Sequence, residues 1–379
     1  MNAYLDNAAT TRVWPEAAQA ALRAMTEDYF NPSSRYPSGT LAAKALEENR
    51  RKVAQALGCQ AKELVFTSCG TESDNWAILS AVQKNARRGT HIITTAVEHH
   101  AVLEPIRTLE RSGYTVTRLP VDRQGQINLD DLQNALREDT VLVSMMLVNN
   151  ELGTVLPVRE AAQIVKRSGT PALFHCDAVQ GFLKLPFTPR ELGVDLLSIS
   201  GHKVHAPKGI GALYIRSGLK LPPLLTGGGQ EGGLRSGTEP TAQIAAFAAA
   251  CEAGLARRDE DIAHMRTLRD YTLARLAEEV PQVSPIVPGD APHILALTMT
   301  GYKSEVLVRV LGDRGVCVSA GSACHRGKPS HVYAALGLSR PERDGAFRVS
   351  FSGDSTRAEV DALIEGLKYA AATLFPSMS

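Results

Sequence analysis

The chain contains the run Val194-Asp195-Leu196-Leu197-Ser198-Ile199, which leads directly into Ser200-Gly201-His202-Lys203-Val204. The first run has the apolar character of a buried strand, and the lysine follows where that strand ends. Burial removes hydration from a charged ammonium, so it lowers the pKa of a lysine and leaves an amine that can attack a carbonyl. Lys203 is therefore a candidate Schiff-base lysine. Taken alone, however, this stretch is better explained by an ordinary exposed lysine that follows a strand.

A second motif, Phe174-His175-Cys176-Asp177-Ala178-Val179-Gln180, lies upstream. The spacing between Asp177 and Lys203 leaves room for one crossover between neighbouring parallel strands. A carboxylate there can pair with a protonated pyridine nitrogen, and the Gln180 amide can donate to a phenolate oxygen. Together with a lysine, these are the groups that pyridoxal phosphate requires. Asp177 taken alone is explained equally well as a helix N-cap.

Apolar, β-rich runs alternate with helical patterns between about Ala61 and Ile215. This alternation predicts an α/β fold with a mostly parallel sheet, helices on both faces and ligands at the carboxyl ends of the strands. The predicted strands are 63–67, 91–95, 115–120, 141–147, 172–174, 196–200 and 211–215, and the predicted helices are 72–88, 100–112, 129–137 and 158–168.

A long helical pattern from Thr241 to about Val280 is interrupted by a charged cluster at 257–261. We place a domain boundary there, so that 13–258 forms a large cofactor-binding α/β domain. The residues from 259 to 379 are predicted to form a smaller α+β domain. Its strands are expected near 293–300 and 346–350, and its helices near 304–314 and 357–374.

Composition indicates a large soluble globular protein, because 44% of the 379 residues are hydrophobic and 41 basic residues balance 40 acidic ones. The balanced charge argues against nucleic acid or a membrane surface as the main partner. The sequence shows no signal region and no apolar run of membrane-spanning length. The six cysteines lack CxxC spacing, so we expect a reduced, cytoplasmic protein without a metal site.

The strand-to-helix stretch Thr67-Ser68-Cys69-Gly70-Thr71-Glu72-Ser73 suits an anion, since free N–H groups and the helix dipole meet at Gly70 and Thr71. A plain capping box is the alternative. Cys324 lies in a loop of small residues, and His325 and Arg326 could stabilise its thiolate. Cys317, between Val316 and Val318, is interpreted as a buried strand residue.

Several of these segments resemble one known family. Asp177-Ala178-Val179-Gln180, Ser200-Gly201-His202-Lys203 and the stretch 207–214 resemble the class V aminotransferase group of pyridoxal phosphate enzymes (fold type I). The narrower resemblance to its cysteine desulfurases, of the NifS and IscS type, is carried by the segments 4–11, 31–34, 148–153, 227–231, 234–239 and 319–324. The resemblance implies that residues 1–12 pack with the small domain.

The resemblance also implies roles for individual residues. The cofactor phosphate would lie on Gly70, Thr71, Ser200 and His202, and Thr238 would reach the cofactor of a partner subunit in a homodimer. The remaining implied residues serve the ring, the substrate and the sulfur: His99 stacks on the cofactor and shuttles protons, Asn150 lies near cofactor and substrate, Arg348 holds the substrate carboxylate, and Cys324 is the nucleophile.

The implied reaction converts L-cysteine to L-alanine and leaves a persulfide on Cys324. Its sulfur would pass to an acceptor protein for iron–sulfur clusters or tRNA thiolation. A selenocysteine lyase, a transaminase and a catalytically silent scaffold are the alternatives. Three departures from the family pattern concern acceptor docking: Ser319-Ala320 in place of two serines, the basic run 325–328, and a missing arginine near Gly232 and Gly233.

Overall fold

The structure is a computed structural model, and it describes residues 3–320 and 330–376. Its main feature is a seven-stranded sheet in the order β2-β8-β7-β6-β5-β3-β4. The strands are β2 (Leu64–Thr67), β3 (His91–Thr95), β4 (Thr115–Leu119), β5 (Thr140–Met146), β6 (Leu173–Asp177), β7 (Leu196–Ser200) and β8 (Gly211–Ile215).

Five neighbouring strands of this sheet, from β7 through β6, β5 and β3 to β4, run parallel. β8 is antiparallel to both of its neighbours, β2 and β7. The carboxyl ends of the parallel strands therefore meet at one edge of the sheet, where the loops after β3, β5, β6 and β7 lie side by side.

Helices cover both faces of the sheet, as the sequence pattern predicts. Successive strand residues enter different apolar cores: Ile92 packs with Trp76 on one face, while Ile93 packs with Phe247 on the other. The helices of the first half of the chain are α1 (Pro15–Thr26), α2 (Pro37–Leu57), α3 (Gly70–Asn85), α4 (His100–Arg111), α5 (Leu129–Ala135), α6 (Val158–Arg167) and α7 (Pro189–Leu192).

A 39-residue helix, α8 (Thr241–Glu279), connects the sheet to the rest of the chain. Its first part, including Phe247, packs into the core under the large sheet, and its second part, from Ile262 onward, packs into a separate core. The helix is continuous through 257–261, where the sequence pattern is broken. The division into domains at this point stays a prediction.

The second core is built around a four-stranded antiparallel sheet in the order β12-β13-β10-β9. The N-terminal strand β1 pairs in parallel with β11, which attaches the N-terminus to this part of the chain. The strands are β1 (Ala3–Tyr4), β9 (Val283–Pro285), β10 (Ile294–Met299), β11 (Val316–Cys317), β12 (Ser319–Ala320) and β13 (Ala346–Ser350), and the helices are α9 (Ser304–Asp313), α10 (His331–Ala335), α11 (Arg340–Asp344) and α12 (Arg357–Thr373).

The predicted fold class, a mostly parallel sheet between helices with a smaller α+β part, is confirmed. Cys317 lies in a strand as predicted, but the expectation that it is buried is wrong, because its side chain is only half-buried at the short β1–β11 ladder. Within residues 3–320 and 330–376, none of the helices combines the length and apolar character needed to cross a bilayer.

Candidate active site

A cavity of about 490 Å³ opens at the carboxyl ends of β5, β6 and β7. It brings together side chains from the large sheet and from β13 of the small sheet. Thr238 is exposed and does not line this cavity, and Cys324 lies outside the described residues. The predicted residues that line it are Gly70, Thr71, His99, Asn150, Asp177, Gln180, Ser200, His202, Lys203 and Arg348.

Lys203 lies in a 3₁₀ turn, Gly201–Lys203, that follows β7 directly. Its Nζ donates to the main-chain oxygens of Ala8 and Ala9, each at 2.8 Å. The N-terminal segment thus supplies acceptors that hold the amine at the cavity. The strand end places this lysine where the sequence predicts it, beside the neighbouring strand β6.

Asp177 is the last residue of β6 and is buried. Its Oδ1 accepts a hydrogen bond of 2.9 Å from the main-chain N–H of Val179. Burial, with the charge of Asp74 adding to it, raises the pKa of the Asp177 carboxyl to about 7, although Lys203 and the Val179 N–H oppose this shift. A cationic group bound in the cavity would stabilise the ionised form of this carboxyl.

Gln180 is held in place on two sides. Its Nε2 donates to the main-chain oxygen of Ala8 at 2.9 Å, and its Oε1 lies 3.3 Å from Nε2 of His293. Because Ala8 also accepts from Lys203, one carbonyl of the N-terminal segment orients both side chains. Gln180 and Lys203, two of the residues predicted to contact the cofactor, therefore lie on the same side of the cavity, next to Ala8.

The start of α3 forms a close-fitting cradle at Gly70. A Cβ at Gly70 would lie 2.9 Å from Cγ2 of Val179 and 3.3 Å from Cβ of Ser200, so a larger residue would crowd this wall. The Ser200 hydroxyl is buried and has no hydrogen-bond partner among the residues the structure describes. The positive end of the 16-residue helix and an unpaired hydroxyl together suit an oxyanion.

His99 caps the N-terminus of α4, where its Nδ1 accepts from the Ala101 N–H at 3.1 Å. Burial and then the positive charge of Lys203 lower the pKa of His99 to about 4. The ring is therefore neutral at neutral pH, and its proton is on Nε2 because Nδ1 is the acceptor. Burial and Lys203 lower the pKa of His202 to about 4 in the same way.

Arg348 lies in the middle of β13 and is 7% exposed. Its Nη2 donates to Asp6 at 2.8 Å, and its Nη1 donates to the main-chain oxygen of Asn150 at 2.6 Å. Its Nε is buried without a partner in the described part of the chain. Asp6 and the Asn150 carbonyl therefore fix the direction of a guanidinium that lines the cavity.

Several cavity residues were not predicted from the sequence. Glu151 is one, and burial raises the pKa of its carboxyl to about 7. Asp6 and Glu151 both stand inside segments that carry the family resemblance, so position in a motif was an available signal. The unpredicted residues that line the cavity include Asp6, Cys69, Asp74, Glu151 and Tyr333.

The geometry defines an α/β enzyme with a cofactor-type site at the carboxyl ends of its strands. Residues 3–363 match the family described as Aminotransferase class-V. The chain is 44% identical to a cysteine desulfurase of Trichormus azollae, over 96% of this chain and 91% of that protein. The structure of a NifS-like protein superposes with a TM-score of 0.93 and 38% identity, covering 99% of this chain and 100% of that one.

A further solved structure, SspA in complex with cysteine, has a TM-score of 0.82 and 32% identity, covering 94% of this chain and 100% of that chain. The chain belongs to the class V aminotransferase family, and within that family to the cysteine desulfurases.

Proposed function

We propose that the protein is a pyridoxal phosphate-dependent cysteine desulfurase, which converts L-cysteine to L-alanine and places the sulfur on Cys324. The observation that carries this proposal is the convergence of the Lys203 amine, the Asp177 carboxyl and the α3 N-terminus on one cavity. A transaminase or a scaffold protein would not need a cysteine in the segment that follows β12.

The residues of the cavity fit this cofactor. The unpaired Ser200 hydroxyl and the cradle at Gly70 would hold the phosphate. The buried Asp177 carboxyl would pair with the pyridine N–H, and the Gln180 amide would face the phenolate oxygen. Pyridoxal phosphate, when bound, supplies an electron sink for the negative charge that develops at the substrate Cα.

Lys203 is the base for the substrate Cα proton, because its amine is directed by Ala8 and Ala9 toward the cavity. His99 offers a flat neutral ring with an Nε2–H that can donate a hydrogen bond to the cofactor or to the substrate thiol. Main-chain contacts hold both groups at the cavity before the substrate enters.

Arg348 would bind the substrate carboxylate, since its guanidinium is oriented by Asp6 and lines the cavity. Arg348→Lys keeps the charge and loses the planar fork of donors. We expect KM for L-cysteine to rise roughly 10- to 100-fold, which corresponds to about 1.5–3 kcal/mol for hydrogen bonds to a charged group. Steady-state kinetics measures the change.

Arg340→Lys is the matched control for this prediction, because Arg340 is 84% exposed on α11. Its KM should equal that of the unmodified enzyme. A KM for Arg348→Lys within about twofold of the control would remove Arg348 from the substrate site.

The assignment of Cys324 as nucleophile draws support from the described residues before 321 and after 329. Before the segment, Ser319 lies opposite Arg348 in the β12–β13 ladder, and Ala320 lines the cavity. After it, Ser330 caps α10, and Tyr333 of that helix also lines the cavity. The described chain therefore borders the cavity, near Arg348, both before and after the segment that carries Cys324.

The activity is tested by incubating the purified protein with L-cysteine and a thiol reductant, which releases the persulfide sulfur as sulfide, and measuring sulfide and alanine in equal amounts. L-selenocysteine and 2-oxo acids serve as alternative substrates, which separate a selenocysteine lyase and a transaminase from a desulfurase. Labelled cysteine with candidate acceptor proteins would identify whether the sulfur goes to iron–sulfur cluster assembly or to tRNA thiolation.

We also propose a homodimer that shares its active sites. Large apolar side chains are exposed on α1, α2 and the loop between them, which is typical of a surface that is covered in an assembly. Thr238 is likewise exposed, at the end of a glycine-rich segment that the Arg50–Glu231 ion pair attaches to α2 and the Arg235–Glu72 ion pair attaches to α3. The exposed apolar residues are Leu22, Met25, Tyr29, Tyr36 and Leu41.

Thr238→Ala should weaken retention of the cofactor in the dimer, because it removes one hydrogen bond to the phosphate bound by the partner. The expected loss is roughly 5- to 30-fold in cofactor affinity, or about 1–2 kcal/mol. Dialysis followed by cofactor quantification measures this, with Thr267→Ala on the exposed side of α8 as the control. A fully active monomer in analytical ultracentrifugation would contradict the shared site.

A further inference from the structure

Lys184 is a buried lysine that has no part in the mechanism above. It lies in the turn that follows β6 and is only 6% exposed. Its Nζ donates to the main-chain oxygen of Lys203 at 2.6 Å. This contact joins the turn that follows Asp177 to the turn that carries Lys203.

Backbone strain flanks this contact on both sides. Leu183, the residue before Lys184, has φ +58°, and His205, two residues after Lys203, has φ +64°. A residue with a side chain is strained in this region, so the surrounding contacts must impose the conformation. Such strain is expected where the direction of a nearby functional group matters.

His205 shows how the second turn is imposed. Its main-chain N–H donates to Thr11 Oγ1 at 2.7 Å, its Nδ1 lies 2.9 Å from the Arg12 oxygen, and its ring stacks on Trp14 at 4.1 Å. The N-terminal segment therefore fixes the outer side of the Lys203 turn. Lys184 fixes the inner side through the Lys203 carbonyl.

The charged groups around Lys184 are mostly basic. Burial and the charge of Lys203 lower the pKa of Lys184 to about 7. Burial lowers the pKa of His202, His205 and His293, and the charge of Lys184 adds a smaller contribution to each shift. The carboxyl of Asp261 lines the same small cavity of about 30 Å³ as Lys184 and Lys203.

We propose that Lys184 is a positioning residue for Lys203: its side chain holds the Lys203 carbonyl and thereby directs the Lys203 amine into the active site. The inference rests on the proposed function, in which Lys203 carries the cofactor. Coupling between two charges is mutual, so Lys184 in its charged form, which is populated below about pH 7, opposes protonation of the nitrogen on Lys203.

The test uses the purified holoenzyme and three variants. Lys184→Met keeps the length of the side chain and removes the donor and the charge, whereas Lys184→Gln keeps a neutral donor. Lys208→Met is the control, since Lys208 is exposed five positions beyond Lys203. The measurements are the pH midpoint of the cofactor's visible band, kcat and KM for L-cysteine, and thermal unfolding.

The proposal predicts for Lys184→Met a kcat about tenfold lower, KM within about twofold, and a band midpoint roughly one pH unit higher. Lys184→Gln should show the same midpoint shift and a kcat closer to the unmodified enzyme, and it decides the question if Lys184→Met does not fold. Lys208→Met should change none of these quantities. The proposal would be overturned if both Lys184 variants had the same band midpoint and the same kcat as Lys208→Met. This holds whether or not their thermal stability is changed.

Borohydride reduction of the unmodified enzyme distinguishes two outcomes: that Lys184 does not position Lys203, and that the proposed function itself is wrong. Peptide mapping should find the reduced cofactor on Lys203. A cofactor on another lysine would overturn the proposed function, and the positioning role with it. A cofactor on Lys203 combined with unshifted variants would overturn the positioning role alone.

Discussion

Cys324→Ala should lower sulfide release from L-cysteine by about three orders of magnitude or more, because it removes the proposed covalent nucleophile. The cofactor's visible band and binding of L-cysteine should be unchanged, since the residues proposed to hold them line the cavity and lie outside the segment that carries Cys324. Sulfide assays measure the loss. Mass spectrometry of the unmodified enzyme after treatment with L-cysteine should find one extra sulfur on Cys324.

Two other cysteines provide the comparison for this prediction. Cys317 is half-buried in β11, and Cys317→Ala should leave sulfide release near that of the unmodified enzyme. Cys69 is the stronger competitor, because it lines the cavity at the start of α3. If Cys69→Ala or Cys317→Ala abolished turnover while Cys324→Ala did not, the nucleophile would be misassigned.

The strands of the large sheet could be predicted because parallel strands buried on both faces have continuous apolar runs. The ends of the strands were less predictable. The run before Asp177 is predicted as a strand over 172–174, but β6 continues to Asp177. His175 and Asp177 interrupt the apolar pattern because they are polar, although both are buried in the strand. Hydrogen bonds with Ser144 and Ser198 make the burial of His175 possible.

The charged cluster at 257–261 interrupts the apolar pattern for a physical reason. It looks like a break in the helical pattern, yet α8 passes through it without interruption. Arg257 donates to both Asp261 and Asp354, so these charges lie on a helix surface that crosses between the two apolar cores. A charged stretch in a sequence does not distinguish such a crossing from the end of a helix.

The chemistry of the site could be predicted from residues that follow strands, because the fold gathers strand ends at one edge. The supporting contacts could not. The Asp6–Arg348 ion pair and the Lys184–Lys203 contact join segments that only the folded structure brings together. A buried lysine six residues into a turn has no pattern that distinguishes it from an exposed one.

Lys203→Ala should lower turnover of L-cysteine by several orders of magnitude, because one side chain serves both as the covalent attachment of the cofactor and as the base for the substrate Cα proton. The phosphate cradle at Gly70 and the carboxyl of Asp177 remain, so the variant should still take up the cofactor. Without the covalent link, dialysis should remove most of the visible colour, and borohydride should fix none of the remainder to the protein.

The two roles of Lys203 can be separated in the same variant. A small primary amine such as methylamine can replace the missing base, so it should restore a measurable part of the turnover without restoring covalent attachment. If methylamine restores turnover, the loss of activity in Lys203→Ala is due to the missing side chain and not to a change in the fold. Lys208 and Lys184 are the other lysines near the turn after β7. Borohydride labelling of either one in the unmodified enzyme, with Lys203 unlabelled, would show that the assignment is wrong.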